Sequence, residues 1–172
     1  MNKNIKIIIT LLVIAILAGF CIYFYTSQTD GVNLGQNTDS GETVEYKNAE
    51  RGFTLDYPQE LQVKDTDEGE TTHTIVFSDS TGEKSFQIFF TPYFGDQITQ
   101  SRILEDVPSG TFTEPIEVVI GGSIHALAFE STLDIGEIRE VWFIHNGYLF
   151  EVSTYKDLDS WLAGIMNTWK FM

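Results

Sequence analysis

The sequence predicts an α+β protein: an antiparallel β-sheet flanked by helices, preceded by one transmembrane helix. Three observations carry that expectation. Residues 7–25, IIITLLVIAILAGFCIYFY, contain no charged side chain. Residues 139–155, REVWFIHNGYLFEVSTY, alternate on both sides of an Asn-Gly pair. Residues 157–169, DLDSWLAGIMNTW, repeat their apolar side chains at helical spacing.

The first segment fits a bilayer. Nineteen residues rising about 1.5 Å each span about 28 Å, against a hydrocarbon core of ~30 Å. Lys3 and Lys6 precede the run and an acidic chain follows it. That order puts the N-terminus in the cytoplasm and everything after Tyr25 outside, in a cell-membrane protein that spans once and meets lipid through this helix. A cleaved secretory signal has a shorter apolar run that ends in small residues; here Phe20, Ile22, Tyr23, Phe24 and Tyr25 close it. Leu17-Ala18-Gly19-Phe20-Cys21 resembles a lipoprotein signal, with Phe20 where a small residue is expected. Lipidation at Cys21 is therefore the alternative to an uncleaved anchor over 1–25. Cys21 is the only cysteine, so no internal disulfide can form.

Residues 26–43 are rich in Gly and small polar side chains. They cannot repay their ordering entropy and read as a flexible polar linker. A folded extracytoplasmic domain is expected over 44–172. All 25 acidic residues lie beyond Tyr25, and the chain carries a formal net charge of −15. Such a surface repels nucleic acid, so no nucleic-acid partner is expected.

Within the domain, Arg51-Gly52-Phe53-Thr54-Leu55 superficially matches a prepilin processing site. A pilin continues with about twenty apolar residues; here the chain continues DYPQELQVKDTDEGETT. The stretch is instead a strand, with Phe53, Leu55 and Tyr57 on one face and Pro58 ending it. Residues 73–79 and 84–94 are strands around a turn at Ser80–Glu83, and 96–107 is a short helix stopped by Pro108. EPIEVVI and SIHALAFES form a hairpin centred on Gly121-Gly122. Asn146-Gly147 is the favoured type I′ pair, because both central positions need positive φ. It sets His145 opposite Tyr148, Phe143 opposite Phe150 and Val141 opposite Val152. Trp142, Ile144 and Leu149 make the other face apolar as well, so this hairpin belongs at the sheet centre, covered on both sides. The last helix aligns Leu158, Trp161, Leu162, Ile165, Met166 and Trp169, with Asp157 or Asp159 as its cap.

VEYKNAERGFTLDYPQEL, at the start of this domain, resembles the opening of PsbP-like domains. EVWFIHNGYLFEVSTY, a helix and NTWKF are similar to that family's closing hairpin and terminal strand. The resemblance covers about 44–172 and implies an α/β/α sandwich. The family's best-known members are extrinsic proteins that assist photosystem assembly. None of their functional residues matches a position here, so the resemblance implies a fold and not an activity.

The chemistry-bearing residues form no known constellation. His73 and His125 fall in strands and His145 abuts a turn, without metal-ligand spacing, so no metal and no cofactor are expected. Ser123 stands two residues before His125 on one strand face, but not within Gly-x-Ser-x-Gly. Asp65-Thr66-Asp67-Glu68-Gly69-Glu70 suggests a calcium loop, yet positions 70 and 76 are Glu and Val where Gly and Glu are required; it reads as an acidic surface turn. Phe86, Phe89, Phe90, Trp142, Phe143, Trp161 and Trp169 read as core. The expected function is a membrane-tethered, non-enzymatic domain that binds a protein partner or assists assembly. A weak divalent-cation-binding domain and a hydrolase using Ser123 and His125 are the alternatives.

Overall fold

In the computed structural model, residues 41–67, 72–107, 111–133 and 135–172 are described. The anchor expected at 1–25 and nearly all of the linker expected at 26–43 lie outside them. Among the described residues, no helix is long and apolar enough to cross a membrane.

Strands β1 (Thr43–Asn48), β2 (Phe53–Pro58) and β10 (Lys170–Phe171) form a small antiparallel sheet in the order β1-β2-β10. The large sheet consists of β3 (Gln62–Asp67), β4 (His73–Ser78), β5 (Ser85–Pro92), β6 (Ile116–Ile120), β7 (Ile124–Leu133), β8 (Gly136–His145) and β9 (Tyr148–Tyr155). Its order is β3-β4-β5-β9-β8-β7-β6, antiparallel throughout. Helix α1 (Gln100–Asp106) and helix α2 (Asp159–Met166) cover opposite faces, the second after a 3₁₀ turn at Lys156–Leu158. The α+β class therefore stands, with strands outweighing helices.

The β8–β9 hairpin has the register that its turn dictates: His145 pairs with Tyr148, Phe143 with Phe150 and Val141 with Val152. Asn146 and Gly147 adopt φ of 47° and 77°, as a type I′ turn requires. Its two faces feed two cores. Phe143, Phe150 and Val152 meet Phe53 and Leu55 of β2, Leu162, Ile165 and Met166 of α2, and Trp169. Trp142 and Leu149 meet Phe129 of β7 and Ile103 and Val107 at α1.

Several expectations need correction. One sandwich layer is not helical alone, because the β1-β2-β10 sheet shares it with α2. Strands β1 and β3 are additional; β1 alternates between exposed and half-buried positions. Asp65–Asp67 belong to β3 and not to a surface turn. The helix expected from 96 starts at Gln100, because Thr99 caps it by accepting from the Arg102 N–H at 3.2 Å. The helix expected to reach Trp169 stops at Met166, where the Thr168 hydroxyl donates to the Ile165 carbonyl at 2.7 Å. Neither Asp157 nor Asp159 caps it; Asp159 pairs instead with Arg139 at 2.9 Å.

Candidate functional site

The β6–β7 hairpin is the element that shapes the site. Its turn holds three residues, Gly121, Gly122 and Ser123, between the paired Ile120 and Ile124. The expected two-residue centre is one residue too short, and Ser123 sits in the turn and not on the strand face of His125. The Ser123 N–H donates to the Ile120 carbonyl at 3.2 Å, closing the turn.

Strand β7 pairs with β8 from Leu133↔Gly136 down to Leu127↔Trp142, and there the ladder stops. Beyond it β7 continues with β6 as far as Ile124, and β8 continues with β9 as far as His145. The two hairpins part because the chain end is wedged between their tips. Gly121, at φ 54°, donates its N–H to the Met166 carbonyl at 3.1 Å, and a Cβ at this position would run into the Trp169 carbonyl oxygen. On the other side the His145 ring stacks on Phe171, with centroids 3.4 Å apart. Phe171 itself is fixed by pairing with Phe53 of β2.

The parted strands leave a cleft of about 980 Å³, within the size range of ligand pockets. Asp96 and Ile98 of the β5–α1 loop line it with Glu117, Ser123, His125 and His145. Burial holds the His145 imidazole below its usual pKa, which keeps it neutral at physiological pH. Ser123 and His125 share the cleft, but no hydrogen bond joins them. A nucleophile and its base require that contact. The third histidine is elsewhere: His73 stacks on Phe90 and lies 3.3 Å from Asp65. Asp65 also accepts from the Tyr46 hydroxyl at 3.5 Å, so this carboxylate of the suspected calcium loop already has protein partners. Among the described residues no three His, Cys, Asp or Glu side chains are placed to hold a metal ion.

A second polar cluster lies beneath α1, unanticipated from the sequence. Arg102, 11% exposed, pairs with Glu151 of β9 at 3.1 Å and with Asp106 one helical turn on. Nearby Glu140 of β8 is buried; its carboxylate accepts from the Ser131 hydroxyl at 3.0 Å and the Trp142 indole N–H at 3.1 Å. Burial pushes its pKa up to about 7, against the pull of those two hydrogen bonds. Burial and the Asp106 carboxylate push Glu151 well above the usual range, while Arg102 opposes them. A glutamate inside the otherwise apolar Val141–Ile144 neighbourhood was the signal in the sequence. The aromatic list held for Phe86, Phe90, Trp142, Phe143 and Trp169, whereas Phe89 and Trp161 are half-buried. Phe94, outside that list, is 99% exposed.

No family model matches the sequence, and no curated protein matches it. The structure is similar to the solution structure of cyanobacterial PsbP (CyanoP) from Synechocystis sp. PCC 6803. The TM-score is 0.51 at 14% identity, and the match covers 81% of this chain and 99% of that one. At this identity the likeness is one of fold, and the fold is PsbP-like.

Proposed function

We propose that this PsbP-like domain is a non-catalytic module that binds a protein partner, assisting assembly on the outer surface of the cell membrane. Residues 1–25 tether it there as a single span and 26–43 give it reach. The cleft between β7 and β8 carries the reading. It is held open by a wedge of the chain's own residues, has mixed polar and apolar walls and two strand edges that do not pair with each other, and brings no base against Ser123. Binding at such a place needs shape and hydrogen-bonding edges, both of which the parted strands supply. The PsbP-like fold supports the same reading, and the uncharged run flanked by Lys3 and Lys6 supports the tether.

The test is a photo-crosslinking residue in place of exposed His125, with a control at Lys64 on β3. Irradiated in intact cells, the position-125 variant should trap one defined protein and the control should not. Identical, diffuse products from both positions would remove the reading. Protease added to intact spheroplasts should cut within 26–43 and release a folded domain. An N-terminus found at Cys21 would replace the span by a lipid anchor.

A further inference from the structure

The two edges of the seven-stranded sheet differ in chemistry. At one edge β3 reads QVKDTD, with charges at three of its six positions. Charged side chains along an edge discourage pairing with other chains. At the other edge β6 reads IEVVI and carries a single charge, Glu117. Ile116 is 60% and Val119 51% exposed. Among the described strands none pairs with β6 on the side away from β7. An apolar edge left open in this way is a template for strand addition, in which a partner's main chain supplies the ladder.

The edge is also presented rigidly. Ile120 is buried at its end, and the following Gly121 is bonded to the Met166 carbonyl and packed on Trp169. Pro115 precedes the strand and offers no N–H, so the template is the five residues Ile116–Ile120.

Charge selects the occupant. Glu117 and the neighbouring Glu114 form no ion pair with a described residue, and the chain as a whole is strongly acidic. A second copy would bring one acidic surface against another and leave both Glu117 carboxylates without a cation. A basic strand would pair with them. We propose that β6 accepts an extended segment of a partner protein by strand addition. That segment would place Lys or Arg opposite Glu117 and an apolar residue opposite Val119. The proposal rests on the binding-module reading and names the surface and the partner chemistry.

Three peptides test it on the full chain in mild detergent: Thr-Val-Thr-Lys-Thr-Val-Thr, which sets Val two residues either side of Lys, the same peptide with Glu in place of Lys, and the basic peptide N-methylated at alternate amides. The basic peptide should slow hydrogen exchange of the amides of Ile116–Ile120. The acidic and N-methylated peptides should bind at least tenfold more weakly, and Glu117→Lys should reverse the charge preference. Binding that ignores N-methylation, protection mapped away from β6, or no binding at millimolar peptide would overturn the proposal. Protection of β6 without peptide, together with a dimer mass, would give the edge to a second copy and overturn it too. The binding-module reading fails separately, through loss of the position-125 crosslink. A Glu117→Lys variant that keeps this crosslink would sink the β6 proposal while leaving that reading in place.

Discussion

Replacing Glu140 by Gln should remove most of a pH dependence that burial builds into this fold. Glu140 has a folded pKa of about 7 against an ordinary value of 4.5. Between those values the native state keeps a proton that the unfolded chain releases, so stability must fall as pH rises across this window. Below 4.5 the contribution is complete, and above 7 it is gone. A displacement of this size corresponds to about 3 kcal/mol. Gln is neutral and nearly isosteric with the protonated acid. Its carbonyl can accept from the Trp142 indole, and its amide can donate to a reoriented Ser131 hydroxyl. In urea unfolding of the 43–172 unit, the variant should match the wild type near pH 5. It should exceed it by about 2–3 kcal/mol at pH 8, with an unchanged dependence on urea. Glu151, also raised by burial, leaves a residual slope of the same sign in both proteins. His145, depressed by burial, loses stability in the opposite direction, as pH falls below its unfolded value; it cancels in the difference. A stability difference that stays constant from pH 5 to 8, or a variant weaker at pH 8, would refute the reasoning.

Arg102→Leu leaves Glu151 and Asp106 facing each other without a cation and should cost about 3–5 kcal/mol at pH 8. The cost should shrink as pH falls, because burial and the Asp106 carboxylate favour the protonated form of Glu151; urea unfolding at pH 8 and pH 5 checks this. Gly122→Ala meets no atom within 4 Å, at φ 78°, and should cost about 1 kcal/mol of backbone strain. Gly121→Ala adds a collision with the Trp169 carbonyl and should cost roughly 1–3 kcal/mol more, read as the larger drop in thermal midpoint. Ile14→Asp should cost about 2.5–3.5 kcal/mol of membrane insertion and move protein from the membrane to the soluble fraction in a sedimentation assay.

The β8–β9 hairpin was legible because its information is local. One Asn-Gly pair fixes the register, and every facing pair follows from counting outward. Strands β1 and β3 were not legible, because they are specified by their partners. Each offers mixed polar side chains to a half-covered layer, and only pairing with β2 and β4 makes strands of them. The cleft was hidden for a stronger reason. It exists because residues 169–171 wedge against Gly121 and His145, and no periodicity reports a contact across that sequence distance. Glu140 was readable in principle, since a carboxylate beside Trp142 in a central strand must be partnered, protonated or both. The Ser123–His125 pair shows the converse failure. Spacing put them on one face, and a turn one residue longer than expected separated them.

The two faces of the large sheet also divide stability from responsiveness. On one face Phe53 and Trp169 stack at 4.5 Å, Phe143 and Phe150 stack at 5.0 Å, and all four rings are almost wholly buried. On the other, a seven-residue helix is held by Ile103, Val107 and a charged cluster whose balance changes near neutrality. Local opening follows the weakest cover, so rising pH should loosen α1 before it loosens the sheet. The β6–β7 hairpin is anchored at its tip to α2 and Trp169, which belong to the stable face. Its edge should therefore remain presented while α1 loosens. Hydrogen exchange corrected for intrinsic rates should show α1 amides less protected at pH 8 than at pH 6, with β7 unchanged. In Glu140→Gln the change at α1 should shrink, while affinity for the basic peptide stays at the wild-type level. Loss of peptide binding in that variant would mean that the acid cluster and the β6 edge are coupled, and the division drawn between the two faces would be wrong.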